Sequence, residues 1–426
     1  MTNNQYDCIV IGGGPAGSTT ATIVAAAGWS TLLVERESMP RFHVGESLMP
    51  ETYWTLKRLG VLDRMQRSDF MVKRSVQFVS HKGRESEPFF FRQHDPRECS
   101  STWQVERADF DQMLFENARE KGADCYDATR VVDAIWDGDR AQGVRLLTSD
   151  GEQREIAARV VVDATGQSTL LASRLGVRQE NPALRKAAIW NYFQGALRAD
   201  GENEGGTVIL HTDDKRAWFW YIPLSCNVVS VGVVADWDYL LQGGKEPADE
   251  FARQLSRCPA LQRRLAHAQG VDKYRVAKEF SYTTQRHAGD GWVLVGDAFG
   301  FIDPIYSSGV FFALKSGELA ADAIAAALEA NDPSAARLGA WTDEFLAGTR
   351  WIRKLVDAFY NNSFSVGRFI KEHPQHLGNL TDLLIGRIFH DRAGEIFGDM
   401  DPWLEAVGEQ GEGRNPKTEG KGKVPG

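Results

Sequence analysis

The sequence predicts an α/β fold with a parallel sheet, and three observations point to it. A short apolar run at residues 7–11 leads through three consecutive glycines into an Ala- and Thr-rich helical stretch. A second apolar run at residues 31–34 follows, which gives strand, helix and strand in succession. Two further apolar runs, at residues 159–163 and 291–297, predict buried strands far along the chain. Short, wholly apolar strands are typical of parallel sheets covered on both faces.

The composition bounds the class of protein. The chain has 426 residues, enough for two or three structural units. Hydrophobic residues make up 42% and charged residues 25%, which excludes wholesale disorder, collagen and coiled coil. The formal net charge of −9 argues against nucleic acid or an anionic membrane surface as the main partner. We therefore expect a globular protein with neither of these partners.

The cysteines, the histidines and the N-terminus argue against disulfides, a metal site and a targeting segment. The five cysteines are scattered without a CxxC pair, so neither a disulfide framework nor a zinc site is expected. The nine histidines show no metal-ligand spacing, and no metal is predicted. No basic leader precedes the first strand, and no stretch reaches the ~18 apolar residues of a membrane helix. Together these observations predict a soluble cytoplasmic protein.

The first turn carries a glycine fingerprint. Gly12, Gly14 and Gly17 form GxGxxG between strand and helix, and Glu35 ends the second strand. The first glycine permits a tight turn, the second lets a pyrophosphate approach the backbone, and the third lets the helix pack on the strand. The helix N-terminus attracts an anion, and Glu35 is suited to accept a ribose hydroxyl. We expect a dinucleotide site; the alternative is a glycine turn that serves only packing.

Two later turns indicate FAD rather than NAD. VVVDATG ends at Gly166 and LVGDA contains Asp297, and in each a predicted strand runs into small residues. A cofactor that spans the site would contact several such turns, and Asp297 is placed to bond a ribityl chain. Arg107, at a predicted helix start, is a further cofactor candidate. Its alternative is a surface arginine near a helix cap.

The rest of the chain mixes strands and helices. Strands are predicted at residues 72–79 and 131–146 and, in several pieces, at residues 188–234. Helices are predicted at residues 248–267 and 309–328. The C-terminal part that follows is amphipathic and helical in pattern.

Several segments resemble the flavin-dependent halogenases. The matching segments are RFHVGESLMP (41–50), QVERADFD (104–111), DATG (163–166) and GDAFGFIDP (296–304). Two further motifs sharpen the resemblance: residues 218–223 fit the family's WxWxIP, and residues 301–309 fit its FxxPxxSxG. The resemblance covers residues 5 to about 330. The glycine and Gly-Asp motifs are shared with aromatic hydroxylases, whereas WxWxIP separates halogenases from those enzymes.

The resemblance implies a domain organisation. It implies a GR2-type FAD-binding domain of Rossmann-like α/β fold in discontinuous pieces, an inserted β-rich substrate domain, and a C-terminal helical part that covers the site. The expected segments are 1–70, 100–175 and 280–330 for the FAD-binding domain, 71–99 and 176–279 for the substrate domain, and 331–408 for the helical part. Residues 409–426, rich in Gly, Lys, Glu and Pro, are predicted to be a disordered tail.

The WxWxIP segment has a physical interpretation of its own. In a strand, Trp218, Trp220 and Ile222 face one way, and Phe219 and Tyr221 face the other. Two indoles on one face are suited to line a tunnel between flavin and substrate and so to suppress direct hydroxylation. The alternative is a pair of core tryptophans.

The FxxPxxSxG segment predicts an anion site. Pro304 cannot extend the preceding structure, and Ser308 and Gly309 open the long helix. The first amides of that helix and its dipole favour an anion, for which chloride or bromide is a natural occupant. The competing occupant is the negative charge of the reduced flavin, and a simple serine N-cap is the other alternative.

Lys73 is the candidate catalytic residue. Val72, Val76 and Phe78 share one face of the predicted strand, and Lys73 points away from it. A lysine in a partly dry tunnel has a lowered pKa. It would then hydrogen-bond hypohalous acid or capture it as a haloamine. From the residues alone a solvated lysine is the stronger alternative, but the resemblance implies an essential lysine at this place.

The resemblance also assigns cofactor contacts and a reaction. The implied FAD-binding residues are Gly12, Gly14, Ala16, Gly17, Glu35, Arg41, Gly45, Ser47, Arg107, Asp297, Pro304 and Gly309. Reduced FAD and oxygen would give a flavin hydroperoxide, which chloride or bromide attacks to form hypohalous acid. This species would reach Lys73 and an electron-rich aromatic of the phenol or pyrrole type.

Partners and alternatives follow from the same resemblance. Since no second GxGxxG is present, reduced FAD is expected from a separate flavin reductase. Whether the aromatic substrate is free or tethered to a carrier protein stays open. The alternatives are a group A flavin monooxygenase, or a related FAD-dependent oxidoreductase, and a catalytically silent flavoprotein with a scaffold role.

Overall fold

The computed structural model describes residues 3–244, 246–361 and 365–412. The chain divides into two compact units, Met1–Leu346 and Ala347–Gly426. The strands found among the described residues are, in chain order, β1 Gln5–Ile11, β2 Thr31–Val34, β3 Met71–Lys73, β4 Ser75–Val79, β5 Phe89–Phe90, β6 Thr102–Gln104, β7 Asp124–Tyr126, β8 Arg130–Asp137, β9 Arg140–Leu147, β10 Gln153–Asp163, β11 Arg178–Gln194, β12 Thr207–His211, β13 Ala217–Pro223, β14 Val228–Asp236, β15 Gln269–Gly270, β16 Arg275–Thr284, β17 Ala288–Gly289, β18 Trp292–Leu294 and β19 Gly300–Phe301.

Helices follow and interleave with these strands. The α-helices are α1 Pro15–Ala26, α2 Thr52–Leu59, α3 Leu62–Arg67, α4 Phe91–His94, α5 Arg107–Glu120, α6 Leu170–Arg174, α7 Trp237–Leu240, α8 Pro247–Leu255, α9 Pro259–Leu265, α10 Ser308–Glu329, α11 Ala335–Leu338, α12 Thr342–Tyr360, α13 Val366–Glu372, α14 Leu377–Ile385 and α15 Phe397–Glu412. Short 3₁₀ turns occur at Glu98–Ser100, Gly166–Ser168, Gly201–Asn203, Gln242–Gly244, Gly296–Ala298, Pro304–Tyr306 and Pro374–His376.

The predicted parallel sheet is present in the first unit. Its path is β17-β18-β10-β1-β2-β7, and β9 and β8 extend it through β10. The five strands β18, β10, β1, β2 and β7 run parallel. The register sets Ile11 opposite Asp163 and Asp163 opposite Leu294. The carboxyl ends of three strands therefore finish side by side, which is where open α/β sheets bind ligands.

Small residues bring two helices together on this sheet. A Cβ atom at Gly317 in α10 would lie 2.6 Å from the carbonyl oxygen of Ala16 in α1. The hydroxyl of Thr20 donates to the carbonyl of Gly317 at 3.2 Å. Because α1 is buried along most of its length, this contact fixes the helix that follows the glycine turn.

A second, nine-stranded sheet carries the WxWxIP segment. Its path is β19-β16-β11-β14-β13-β12-β4-β5, with β15 paired to β11. Every residue of β13 is buried. Most of its strands come from residues 71–99 and 176–279, the segments expected to form a substrate domain. Both sheets belong to the first compact unit, and their separation into two domains stays a prediction.

Two predicted elements are each divided in the structure. The strand predicted over residues 72–79 is wrong as a single element, because the chain pairs with β6 up to Lys73 and joins β12 and β5 only after Arg74. Lys73 is buried, whereas Val72, Val76 and Phe78 are only partly buried, so the apolar alternation did not mark the buried side. The helix predicted over 248–267 is divided before Pro259, which lacks an amide donor and begins α9.

Among its described residues the second unit is helical, and the domain division predicted for residues 331–408 stays a prediction. The indole of Trp351 stacks on Phe397 with ring centroids 5.6 Å apart, and Ser365 caps α13 by accepting from the amide of Arg368. Helix α15 extends to Glu412, so the predicted tail 409–426 begins inside a helix, and its residues 413–426 lie outside the described residues.

Among the described helices, none is both long enough and apolar enough to span a membrane.

Candidate active site

A cavity of about 350 Å³ lies where the carboxyl ends of the parallel sheet meet the nine-stranded sheet. We call it the main cavity. Eleven of the twelve implied FAD-binding residues line it: Gly12, Gly14, Ala16, Glu35, Arg41, Gly45, Ser47, Arg107, Asp297, Pro304 and Gly309. Trp218, Trp220 and Ile222 also line it. Segments far apart in sequence therefore converge on one space.

The three fingerprint glycines have different surroundings. Gly12 has φ +111°, and a Cβ atom there would lie 2.3 Å from the carbonyl oxygen of Ala164. A Cβ atom at Gly17 would lie 1.9 Å from the carbonyl oxygen of Gly12, so Gly17 packs the helix on the turn and does not line the cavity. At Gly14 the nearest atom would be Nη2 of Arg41, 3.4 Å away. Only Gly14 combines a place on the cavity wall with open space.

Glu35 is held at the edge of the cavity. One of its carboxylate oxygens accepts from the amide of Gly13 at 2.9 Å, and the other accepts from the amide of Glu37 at 3.1 Å. These bonds orient the carboxylate, and its remaining lone pairs are suited to a ribose hydroxyl.

Asp111, which the sequence analysis did not select, ties the two predicted arginines together. Arg41 donates to its Oδ2 at 2.8 Å, and Arg107 donates to both of its oxygens at 2.8 and 3.0 Å. Arg107 also donates to the carbonyl of Val44 at 2.7 Å. These arginines hold the pKa of the buried Asp111 carboxyl below its usual range despite the opposing effect of burial. The arrangement fixes two guanidinium groups on the cavity wall, where a pyrophosphate would need hydrogen-bond donors.

The two strand-ending aspartates differ in role. Asp297 lies on the cavity wall, and burial raises its pKa to about 6 while Arg107 opposes that rise. Asp163 is fully buried and accepts from the amide of Thr165 at 3.0 Å and from that of Leu171 at 2.7 Å. Asp163 therefore shapes the DATG turn, whereas Asp297 is available to a ligand.

The start of α10 opens onto the cavity. Ser307 precedes the helix with φ 58°, in the left-handed region, and its side chain makes no capping hydrogen bond. Ser307 and Gly309 line the cavity, and a Cβ atom at Gly309 would meet nothing within 4 Å. Ser308 is buried and is not among the lining residues. The geometry thus favours Gly309 over the Ser308 side chain as a ligand contact.

The strand β13 divides its side chains as predicted. Trp218, Trp220 and Ile222 face the main cavity, whereas Phe219 and Tyr221 belong to the hydrophobic core behind the sheet. The two indoles lie with ring centroids 6.4 Å apart. The indole nitrogen of Trp220 donates to the hydroxyl of Ser230 at 3.1 Å, which fixes one wall of the cavity.

Lys73 lies behind the cavity wall. It is 5% exposed, and its Nζ donates to the hydroxyl of Ser47 at 2.8 Å and to the carbonyl of Leu48 at 3.1 Å. The ring of Phe91 lies 5.7 Å from Nζ. Because both hydrogen-bond partners are neutral, burial dominates and lowers the pKa of Lys73 to about 7. The structure excludes the solvated lysine that the sequence alone favoured.

Other polar residues at the cavity wall were not predicted from the sequence. Glu46 is buried and accepts from the hydroxyl of Tyr192 at 2.8 Å, and burial raises the pKa of this carboxyl. Thr207 also lines the cavity, next to Ser47. Glu46 lies within a quoted motif, but Tyr192 and Thr207 lie in strands without any motif, so no sequence signal marked them.

One group of possible metal ligands occurs among the described residues. Glu51, Asp95 and Cys99 have ligand atoms within 4.8 Å of one another. The guanidinium of Arg97 forms ion pairs with both carboxylates, so their negative charge is already balanced by a protein cation.

The residues present fit FAD. An open glycine position, a carboxylate for ribose, two arginines for a pyrophosphate and an aspartate at a later turn all line one cavity. No side chain caps the start of α1 at Gly14. The first amides of this helix are therefore left for an anion.

The family comparison agrees with that fit. A family model described as "FAD binding domain" matches residues 5–344. The fold and the cavity thus define an FAD-binding flavoprotein. The chain belongs, within that class, to the flavin-dependent halogenases, and it is an enzyme.

Individual relatives support the assignment to the flavin-dependent halogenases. A 1H-pyrrole-2-carbonyl-(peptidyl-carrier protein) brominase from Pseudoalteromonas luteoviolacea is 33% identical over 82% of this chain and 82% of its own. A 1H-pyrrole-2-carbonyl-(peptidyl-carrier protein) chlorinase from Pseudomonas fluorescens is 29% identical over 96% of this chain and 95% of its own. The solved flavin-dependent brominase Bmp2 is 30% identical with a TM-score of 0.84, covering 94% of this chain and all of that one. The myxobacterial chondrochloren halogenase is 31% identical with a TM-score of 0.79, covering 98% and 92%.

Proposed function

We propose that this enzyme halogenates an electron-rich, pyrrole-type acyl group carried on a carrier protein, with chloride or bromide as the halogen source. The two relatives named for that substrate support the substrate class, since each covers more than four fifths of this chain. Reduced FAD, delivered by a separate flavin reductase, would supply the electrons with which oxygen is activated to oxidise halide.

The residues around the main cavity have complementary tasks in this proposal. Arg41 and Arg107, joined by Asp111, would hold the pyrophosphate, Glu35 the ribose and Asp297 the ribityl chain. Gly309, at the open start of α10, would bind the halide through the amides and dipole of that helix.

The indole wall separates halogenation from hydroxylation. A hydroxylase needs its organic substrate in direct contact with the flavin. Trp218 and Trp220 occupy one wall of the main cavity with bulky rings, and both are nearly buried. In this proposal they restrict the cavity to the cofactor, oxygen and halide, so oxidised halogen and not oxygen reaches the aromatic.

The buried position of Lys73 beside the cavity is the observation that best supports the proposal. A buried amine whose pKa is lowered to about 7, and which is therefore partly neutral near neutral pH, lies one hydroxyl group from the main cavity. Such an amine can hydrogen-bond hypohalous acid or take its halogen as a haloamine, with loss of water, and direct it to an aromatic carbon. A charged, solvated lysine has no comparable nucleophilicity.

The test is a reconstituted reaction. The chain is incubated with FAD, a flavin reductase, NADH, oxygen and bromide, and is offered either pyrrole-2-carbonyl thioester on a carrier protein or free pyrrole-2-carboxylate. We expect bromine isotope patterns on the carrier-bound acyl group by mass spectrometry. Bromination of only the free acid would contradict the tethered substrate. A hydroxylated product without halide would instead indicate a monooxygenase.

A further inference from the structure

The wall between Lys73 and the main cavity contains two hydroxyl groups in contact. The hydroxyl oxygens of Ser47 and Thr207 lie 3.1 Å apart, and both residues line the cavity. Lys73 donates to the Ser47 oxygen at 2.8 Å from the other side. A continuous hydrogen-bonded path thus leads from a buried amine to the cavity.

Gln104 fixes the role of Thr207 toward one of its neighbours. Its side-chain nitrogen donates to the carbonyl of Gly205 at 2.9 Å and to the hydroxyl oxygen of Thr207 at 2.8 Å. Because a carbonyl can only accept, the bond to Gly205 sets which end of the amide is the nitrogen. Thr207 therefore accepts a hydrogen bond from Gln104, and its own hydroxyl proton is left to be donated to a different acceptor.

The proton count leaves one donor for the cavity. Ser47 accepts from Lys73 and Thr207 accepts from Gln104, so the two hydroxyls hold two protons between them. One of these protons joins the two oxygens. The other has no protein acceptor in the described hydrogen bonds of the pair, and both hydroxyls border the cavity.

We infer that Ser47 and Thr207 form a proton relay that exchanges protons between the amine of Lys73 and the main cavity. In one transfer the ammonium of Lys73 gives a proton to the Ser47 oxygen, Ser47 passes its own to Thr207, and Thr207 passes its own to a water molecule. The amine becomes neutral, the water becomes hydronium, and both hydroxyls are restored. No electrons move, so no oxidant or reductant is needed.

The burial of Lys73 explains why its amine needs a relay to exchange protons. The amine must be neutral to accept a halogen, so a protonated Lys73 must first lose a proton. At 5% exposure it has little direct access to solvent. Ser47 and Thr207 are thus positioning residues that act through Lys73, and this role rests on the proposed function of that lysine.

Thr207 offers the sharper test because none of the described hydrogen bonds joins it to Lys73. Thr207→Val removes the hydroxyl at nearly constant volume, and Gln104 keeps its bond to Gly205, so the fold is expected to survive. Thr207→Ser retains the hydroxyl and is the matched control. We expect Thr207→Val to slow halogenation at neutral pH about tenfold or more and Thr207→Ser to restore most of the rate. FAD binding should be equal in both variants.

A second measurement uses the enzyme without cofactor. Acetic anhydride acetylates neutral amines, so the pH midpoint of Lys73 acetylation, followed by peptide mass spectrometry, reports its pKa. Ser47→Ala should lower that midpoint below about 7, because the ammonium loses a hydrogen-bond acceptor. Thr207→Val should leave the midpoint unchanged while halogenation slows.

The outcomes separate the relay from the proposed function. Wild-type halogenation by Thr207→Val overturns the relay, and so does equal impairment of Thr207→Val and Thr207→Ser, which would indicate packing. An unchanged acetylation midpoint in Ser47→Ala overturns the link to Lys73. If Lys73→Ala itself halogenates normally, the role proposed for Lys73 fails and the relay fails with it.

Discussion

The indole of Trp220 occupies the space above Gly232 on the neighbouring strand. The two residues are paired across β13 and β14, and a Cβ atom at position 232 would lie 2.2 Å from Cζ2 of the indole. The absence of a side chain at Gly232 therefore allows the indole to lie flat against the sheet. A wall residue of the main cavity thus depends on a glycine that no motif includes.

Gly232→Ala should displace the Trp220 indole. Overpacking of this kind costs about 1–3 kcal/mol, which a urea or thermal unfolding experiment measures directly. We also expect weaker FAD binding, because the displaced ring enters the cavity. Gly378→Ala is the control, since a Cβ atom there meets nothing within 4 Å. Equal stability of the two variants would contradict this packing argument.

Gly14→Val should abolish FAD retention without unfolding the protein. The backbone at Gly14 has φ −77°, which valine adopts readily, and the added methyl groups enter the space needed by a pyrophosphate. The absorbance of bound flavin after purification and the melting temperature are the measurements. Gly12→Val, at φ +111° and with a 2.3 Å clash, should instead lower stability itself. A Gly14→Val protein with full FAD content would show that the cofactor site is wrong.

Bromide should bind at the start of α10. We expect an anomalous diffraction peak beside the amide of Gly309 in crystals soaked in bromide, and no peak there in bromide-free crystals. Ser308→Ala should leave the peak in place, because the Ser308 side chain does not line the cavity. A peak elsewhere with none near Gly309 rules out this halide site while leaving the FAD assignment intact.

Lys73→Ala should stop halogenation and spare flavin chemistry. Loss of a group acting in general acid–base catalysis costs on the order of 10²–10⁴ in rate, and more if a haloamine is obligatory. Lys73→Arg should fail too, because a guanidinium stays charged. Product formation and flavin reoxidation are measured in parallel. Full halogenation by Lys73→Ala would falsify the role, and loss of FAD binding would mark Lys73 as structural.

Lys73 should also make stability depend on pH. Its pKa is about 7 in the folded chain and ~10.4 in the unfolded chain, so between these values the unfolded state binds more protons. Stability therefore rises with pH across this window, by up to about 1.4 kcal/mol per pH unit, and the penalty is largest below pH 7. Lys73→Met should flatten this rise in chemical unfolding experiments at pH 7 to 10. Parallel curves for the two proteins would contradict a lowered pKa.

The cofactor side of the fold was predictable from local sequence patterns. GxGxxG, Glu35 and the Gly-Asp turn lie at the carboxyl ends of short apolar strands, and parallel pairing must bring such ends together. WxWxIP likewise fixed which side chains share a face, because alternation in a strand is a local property. These features depend on residues close in sequence, so pattern and spacing were sufficient.

The surroundings of Lys73, in contrast, depend on long-range packing. Its neighbours Ser47, Gln104 and Thr207 come from three separate segments, and no local pattern joins them. The change of sheet at Arg74 also buries the lysine, for which the residues alone favoured a solvated position. Burial and long-range hydrogen bonds are set by which elements pack together, and this packing makes Lys73 a buried amine with a lowered pKa.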